Sequence, residues 1–295
     1  MVTQKHSLSN SGNRKGLIYG LLGAAMYASY ILTNKYVYVH YTVNNFNYAV
    51  TFTIWAGIFA LGAVLVNRYK KEFLIINKGT IPVGLNGILA AIGIALIVYG
   101  QQYTSAINAS IIATTSILTT VIYSRFILKE SLNRLQSFWL LIMFVGLYIA
   151  IVGISGVHLN KGDLIILSSS FILGFTNTFS KVLMRDNTSD YVADFRLVAG
   201  AALFLILGLV VRGNDFFVTA AGIWPIFAGL CYWLTIKFFY ASIHYANPNR
   251  AIVLINSHPI VTPIFGVLLL SETYSWAKFV GSALILISVY LINKK

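Results

Sequence analysis

Charge is what this chain has least of. Only 10% of its 295 residues are Asp, Glu, Lys or Arg, against about 25% in an ordinary soluble domain. So little polar surface cannot cover a water-soluble globule of this length. Acids are the scarcer sign, 8 against 21 basic residues. All of them (Glu72, Glu130, Asp163, Asp186, Asp190, Asp194, Asp215 and Glu272) fall in loops or at the ends of apolar runs, so no pair of intramembrane carboxylates is expected. Cys231 is the only cysteine, which excludes an intrachain disulfide and a thiolate metal site. No phosphate-cradling glycine loop, hydrolase elbow or His-x-x-x-His pair occurs, so the residues give no site for a nucleotide-driven pump, a catalytic nucleophile, a cofactor or a metal. The net charge of +13 is spread in short clusters between apolar runs. It forms no basic face, and no nucleic-acid partner is expected.

What the chain has instead is apolar length. It is 58% hydrophobic with a mean hydropathy of +0.77, and its natural solvent is the lipid bilayer. A spanning helix takes about 20 mostly apolar residues. Ten windows qualify: 16–35, 46–66, 81–101, 106–126, 136–154, 163–184, 191–211, 220–243, 247–270 and 275–293. The expected fold is an all-α membrane protein of ten transmembrane helices, preceded by a polar cytoplasmic tail, residues 1–15. Ten spans put both ends on one side. With the tail inside, only Lys35, Lys161, Arg212 and Lys278 fall in outer segments, and Lys237 lies within a span. The remaining basic residues face inward, so both termini are expected in the cytoplasm of a multi-pass inner (plasma) membrane protein.

The chain also repeats itself. Lys15-Gly16 opens the first span and Lys161-Gly162 the sixth, and the same interval from each glycine leads to Lys35 and Lys181. Further on, Tyr103, Ala109, Thr120, Leu128, Glu130 and Tyr148 match Tyr245, Ala251, Thr262, Leu270, Glu272 and Tyr290 at one constant offset. The reading is two five-helix units, residues 16–154 and 163–293. Five is odd, so the second unit runs upside down relative to the first. Such inverted repeats are characteristic of secondary transporters.

Several of these residues resemble a known family. Phe239-Tyr240-Ala241, Tyr245-Ala246, Pro259, Pro263 and Leu270-Ser271-Glu272 look like the second-half pattern of EamA-type proteins in the drug/metabolite transporter superfamily. A looser version stands in the first half at Tyr99, Tyr103-Thr104-Ser105-Ala106 and Leu128-Lys129-Glu130, and Arg196 followed by Gly200 resembles the start of that family's seventh helix. The resemblance implies a ten-helix transporter with a central cavity. Helices five and ten would stand at its edge. Thr53 sits where the first-half counterpart of Arg196 would fall, and the first helix lacks the membrane glutamate of the small multidrug members.

Polar groups inside spans are the candidates for function, since burying them in lipid is costly. Lys237 lies roughly 10 Å from the inner end of span eight, at ~1.5 Å per residue. It either snorkels to the headgroups or presents a cavity cation to an anionic solute. His258, beside Pro259 in span nine, is either hydrogen-bonded to a neighbouring helix or in contact with solute, and Asn256 is a weaker candidate. Ser170, Gly174, Asn177 and Lys181 share one helical face, suited to a wet cavity or to close packing. Tyr27, Tyr30 and Asn34 form a comparable face in span one. The substrate-binding set is therefore Lys237, His258, Asn256, Asn177 and Tyr27. Glu130 and Glu272 are expected to cap the helix that follows each of them. The expected function is alternating-access transport of a small-molecule substrate. A cation and a histidine with no opposing carboxylate favour an amino acid or organic acid. A lipid-acting membrane enzyme and a non-transporting receptor or scaffold are the alternatives.

Overall fold

The computed structural model describes residues 10–66, 80–129, 133–152, 159–212, 221–245, 254 and 257–292. Every element among them is a helix: α1 Asn10–His40, α2 Asn45–Val66, α3 Thr80–Gln101, α4 Ala106–Ala113, α5 Thr115–Ile127, α6 Arg134–Val152, α7 Lys161–Leu183, α8 Ser189–Arg212, α9 Trp224–Tyr245, α10 His258–Leu270 and α11 Trp276–Ile292. Among the described residues, seven helices are long and apolar enough to cross a membrane, counting α4 and α5 as one, and α10 and α11 are shorter apolar helices. α1 starts inside the stretch expected to be tail and runs past the expected window at both ends.

The break between α4 and α5 falls at Thr114-Thr115-Ser116, which the apolar window does not reveal. There the Thr114, Thr115 and Ser116 hydroxyls donate to the carbonyls of Ile111, Ile112 and Ala113 at 2.5, 2.7 and 2.8 Å. Side chains thus add donors to the carbonyls at the local irregularity, beside the Thr114 N–H that reaches Ile111 and Ile112, and this suits the membrane interior. α5 then packs on α7 through small residues and hydroxyls. Thr119 Oγ1 donates to the Ser170 carbonyl at 2.7 Å, and a Cβ added at Gly174 would run into Thr119. The Ser170–Gly174 part of the small-residue stripe is therefore a packing seam between helices.

The helix pairings come in matched sets. α1 packs on α9 and α3 on α7; α5 packs on α7 and α1 on α10; α3 packs on α8 and α9 on α2. Each pairing turns into its partner when α1–α6 exchange in order with α7–α11, α4 and α5 counting as one helix, and the α2–α8 and α6–α11 pairings map onto themselves. Lys129 and Ser271, equivalent by the sequence offset, both have left-handed backbone, with φ of 55° and 52°. That conformation closes a helix C-terminus. α6 stands at the edge with 17% of its span window buried, against 72% for α4–α5. Its outward residues Phe138, Leu141, Phe144 and Val145 are exposed and apolar, as a lipid-facing helix must be.

Candidate functional site

The largest side chains sealed inside the bundle are aromatic: Tyr30, Tyr48, Phe52 and Tyr240. Tyr30, Tyr48 and Phe52 pack ring on ring as a strip through the interior. Tyr232 on α9 packs on Tyr30 of α1 with ring centroids 5.4 Å apart. Tyr30 meets Tyr27 at 5.7 Å, and Tyr27 meets His258 at 4.4 Å. His258 is 2% exposed, and its Nδ1 shares a hydrogen bond of 2.7 Å with Ser110 Oγ on α4. The strip therefore joins α1, α2, α9 and α10 by side chains that are apolar over most of their area, most of them polar at one edge. The Tyr30 hydroxyl is buried without a hydrogen-bond partner among the described residues, as is Thr262 Oγ1 on α10. Such orphan groups are rare in folded interiors and call for an explanation.

One end of the strip is sealed by satisfied polar groups. The Asn34 amide donates to Gln101 Oε1 at 3.1 Å, and the Tyr48 hydroxyl donates to Asn34 Oδ1 at 2.8 Å. Gln101 donates to the Ile31 carbonyl, and Lys35 donates to the Gln101 carbonyl. Beside this knot, Thr104 donates to the buried Asp163 carboxylate at 2.6 Å. Glu272 accepts from the Ala106 and Ile107 amides at 2.6 and 3.0 Å. The expectation for Glu272 is corrected here: it caps α4, far away in sequence, and its carboxylate meets the exposed N–H groups of that helix. Glu130 lies outside the described residues.

Apart from the strip, Lys237 on α9 meets two carboxylates. Its Nζ lies 2.6 Å from Asp190 Oδ1 and 3.0 Å from Asp194 Oδ2, and the Trp233 indole donates to Asp194 at 3.3 Å. The expectation of a cation without an opposing carboxylate does not hold. Asp194, assigned to a span end, is fully buried on α8.

Two residues further along α8 stands Arg196, 3% exposed. It lines a cavity of about 10 Å³ together with Thr53, Gly87, Ala90, Gly200 and Tyr232, room for a single water. The guanidinium lies beside the Tyr232 phenol, so this cavity adjoins the aromatic strip. Gly87 fixes the level of the site: a Cβ there would strike the Arg196 backbone, and α3 and α8 touch main chain to main chain.

Of the residues singled out by sequence, Tyr27 and His258 come together in the strip, and Lys237 stands apart in its ion-pair cluster. Asn177 is half-buried on α7, and no hydrogen bond among the described residues joins it to the others. Asn256 lies outside the described residues. His258 heads α10 rather than standing mid-helix, and Pro259 occupies the first turn, where its missing N–H breaks no helical bond. Sequence reasoning missed Ser110, Tyr232, Asp194 and Arg196 as site residues. For Arg196 the available signal was Gly200, four residues on and on the same helical face.

This arrangement can now be set beside known proteins. An uncharacterized transporter, YyaM, from Bacillus subtilis is 23% identical over 76% of this chain and 77% of its own length. An uncharacterized transporter from Archaeoglobus fulgidus is 22% identical over 84% and 87%, and the riboflavin transporter ImpX from Fusobacterium nucleatum is 24% identical over 59% and 62%. A protein of known crystal structure superposes with a TM-score of 0.66 at 18% identity, covering 94% of this chain and 96% of that one, a likeness of fold. The EamA-like transporter family model matches the chain twice, at residues 14–152 and 160–294. With both halves of the membrane bundle matched, the chain belongs to the EamA-like transporter family.

Proposed function

We propose that this protein is a secondary transporter that moves a small metabolite by alternating access. Its ten spans form two inverted repeats, residues 16–154 and 163–293, and both termini lie in the cytoplasm of an inner (plasma) membrane. The double family match, the exchange symmetry of the helix pairings and the equivalent left-handed residues Lys129 and Ser271 support the repeat. Two similar units of opposite orientation can trade conformations, so one interior site opens to either face at low cost.

The observation that carries the reading is the strip of Tyr27, Tyr30, His258 and Ser110, polar at its edges and sealed inside a bundle with apolar outer faces. A helix bundle that merely has to pack in lipid gains nothing from an unpartnered Tyr30 hydroxyl there. Amino acids and organic acids are the preferred solutes. The test is uptake of a radiolabelled panel of both classes into liposomes carrying the purified protein. The expected result is flux of one class, falling at least tenfold in His258→Ala and Tyr27→Ala. No flux for any solute, or full flux in both variants, overturns the proposal. The small size of the cavity beside Arg196 favours a second reading, a non-transporting membrane receptor or scaffold. That reading predicts binding of a solute with no movement across the bilayer.

A further inference from the structure

We infer that Arg196 is the anion-binding group of the interior site, and that it takes the carboxylate of the transported solute. This rests on the transport reading and adds a substrate class to it. Lys237 was the expected cation, but Asp190 and Asp194 already neutralise it. Arg196 has no carboxylate within ion-pairing distance among the described residues, and its Nε is buried with no hydrogen-bond partner there. Asp194 is two residues away, on a different face of α8, and is engaged by Lys237 and Trp233.

A guanidinium held in the membrane interior without a counter-ion marks a functional site by default. Its planar fork matches a carboxylate by two parallel hydrogen bonds. A water-sized space adjoins the guanidinium. Gly87, Ala90 and Gly200 keep the lining small, and Tyr232 lies beside the guanidinium. Tyr232 also leads to Tyr30 and Phe52, at 5.4 and 6.1 Å between ring centroids. An apolar solute body would lie along that surface. The lining supplies one positive charge. A monocarboxylate matches it, whereas a phosphate, with about −1.5 to −2 charges at neutral pH, would bring buried charge that nothing in the lining compensates. In this conformation the cavity holds a water-sized group, so the solute enters as the bundle opens.

The test is thermal unfolding of the purified protein in detergent with benzoate, benzamide and inorganic phosphate. Benzoate and benzamide share a shape and differ in charge. A ligand of the folded state raises its melting temperature. The expected result is a dose-dependent rise with benzoate and none with benzamide or phosphate. The apparent benzoate affinity falls at least tenfold in Arg196→Gln, falls less in Arg196→Lys, and is unchanged in the exposed control Arg185→Gln. Equal response to benzoate and benzamide, including no response to either, overturns the assignment. So does a stronger response to phosphate, or wild-type affinity in Arg196→Gln. If Arg196→Gln fails to fold, the wild-type contrast and Arg196→Lys still decide. Flux in the same variants separates the two claims. Benzoate binding lost with flux intact sinks the Arg196 assignment alone, and charge-selective binding without any flux sinks the transport reading alone.

Discussion

Lys237 reaches two carboxylates of different standing. Asp194 is fully buried, whereas the Asp190 side chain is 59% exposed. An exposed partner gains little over water, typically 0–1 kcal/mol. A buried one leaves an uncompensated charge when its partner goes, at about 3 kcal/mol or more. Asp194→Ala should therefore lower the thermal unfolding midpoint of the purified protein by several degrees, and Asp190→Ala should barely move it. Equal effects from the two variants would show that water reaches Asp194 after all. This pairing was not legible in the sequence, because the two charges sit in different spans and only the contact between α8 and α9 brings them together. Tyr27 and His258 were legible as polar positions in apolar runs. Their contact, and the part played by Ser110, depend on the packing of α1, α10 and α4.

Helix ends show the same division between local and distant information. The apolar windows located most spans to within a few residues, since lipid imposes length and composition directly. They did not reveal the break at Thr114, where three hydroxyl residues in a row pass for ordinary polar content in a span. Glu272 was legible as a cap and misassigned as to which helix it caps, because spacing along the chain points to α11 and the fold brings α4. At α4, Glu272 accepts from Ala106 and Ile107 while Ser105 Oγ accepts from the Asn108 amide at 3.0 Å. Three of the four unsatisfied N–H groups at this helix start thus have side-chain acceptors. A charge-assisted hydrogen bond contributes about 1.5–3 kcal/mol and an ordinary cap about 1 kcal/mol. Glu272→Ala is expected to destabilise the protein by ~2 kcal/mol or more, Ser105→Ala by ~1 kcal/mol, and Glu272→Gln by an amount between wild type and Glu272→Ala. Denaturation in mixed micelles measures all three. A Glu272→Ala protein as stable as wild type would mean that the α10–α11 linker does not hold α4.

At the scale of the whole molecule the proposed inverted relation has a direct consequence for sidedness. If the halves are inverted, residues equivalent by the repeat lie on opposite surfaces of the membrane. Lys15 and Lys161 are one such pair, each beside the glycine that opens its half. Asn133 and Ser275 are another, each just before the fifth helix of its half. All four are exposed, and the wild-type background is low because Cys231 is the only cysteine and is 2% exposed. Single cysteines at these positions should therefore react with a membrane-impermeant maleimide in complementary fashion. Lys161→Cys and Ser275→Cys label in intact cells, whereas Lys15→Cys and Asn133→Cys label only after the membrane is opened. The reverse pattern would keep the inverted repeat and turn the molecule over, against the excess of basic residues assigned to the cytoplasm. Labelling of both members of a pair from one side would leave two parallel units, and a single interior site could no longer reach both faces by exchanging their conformations.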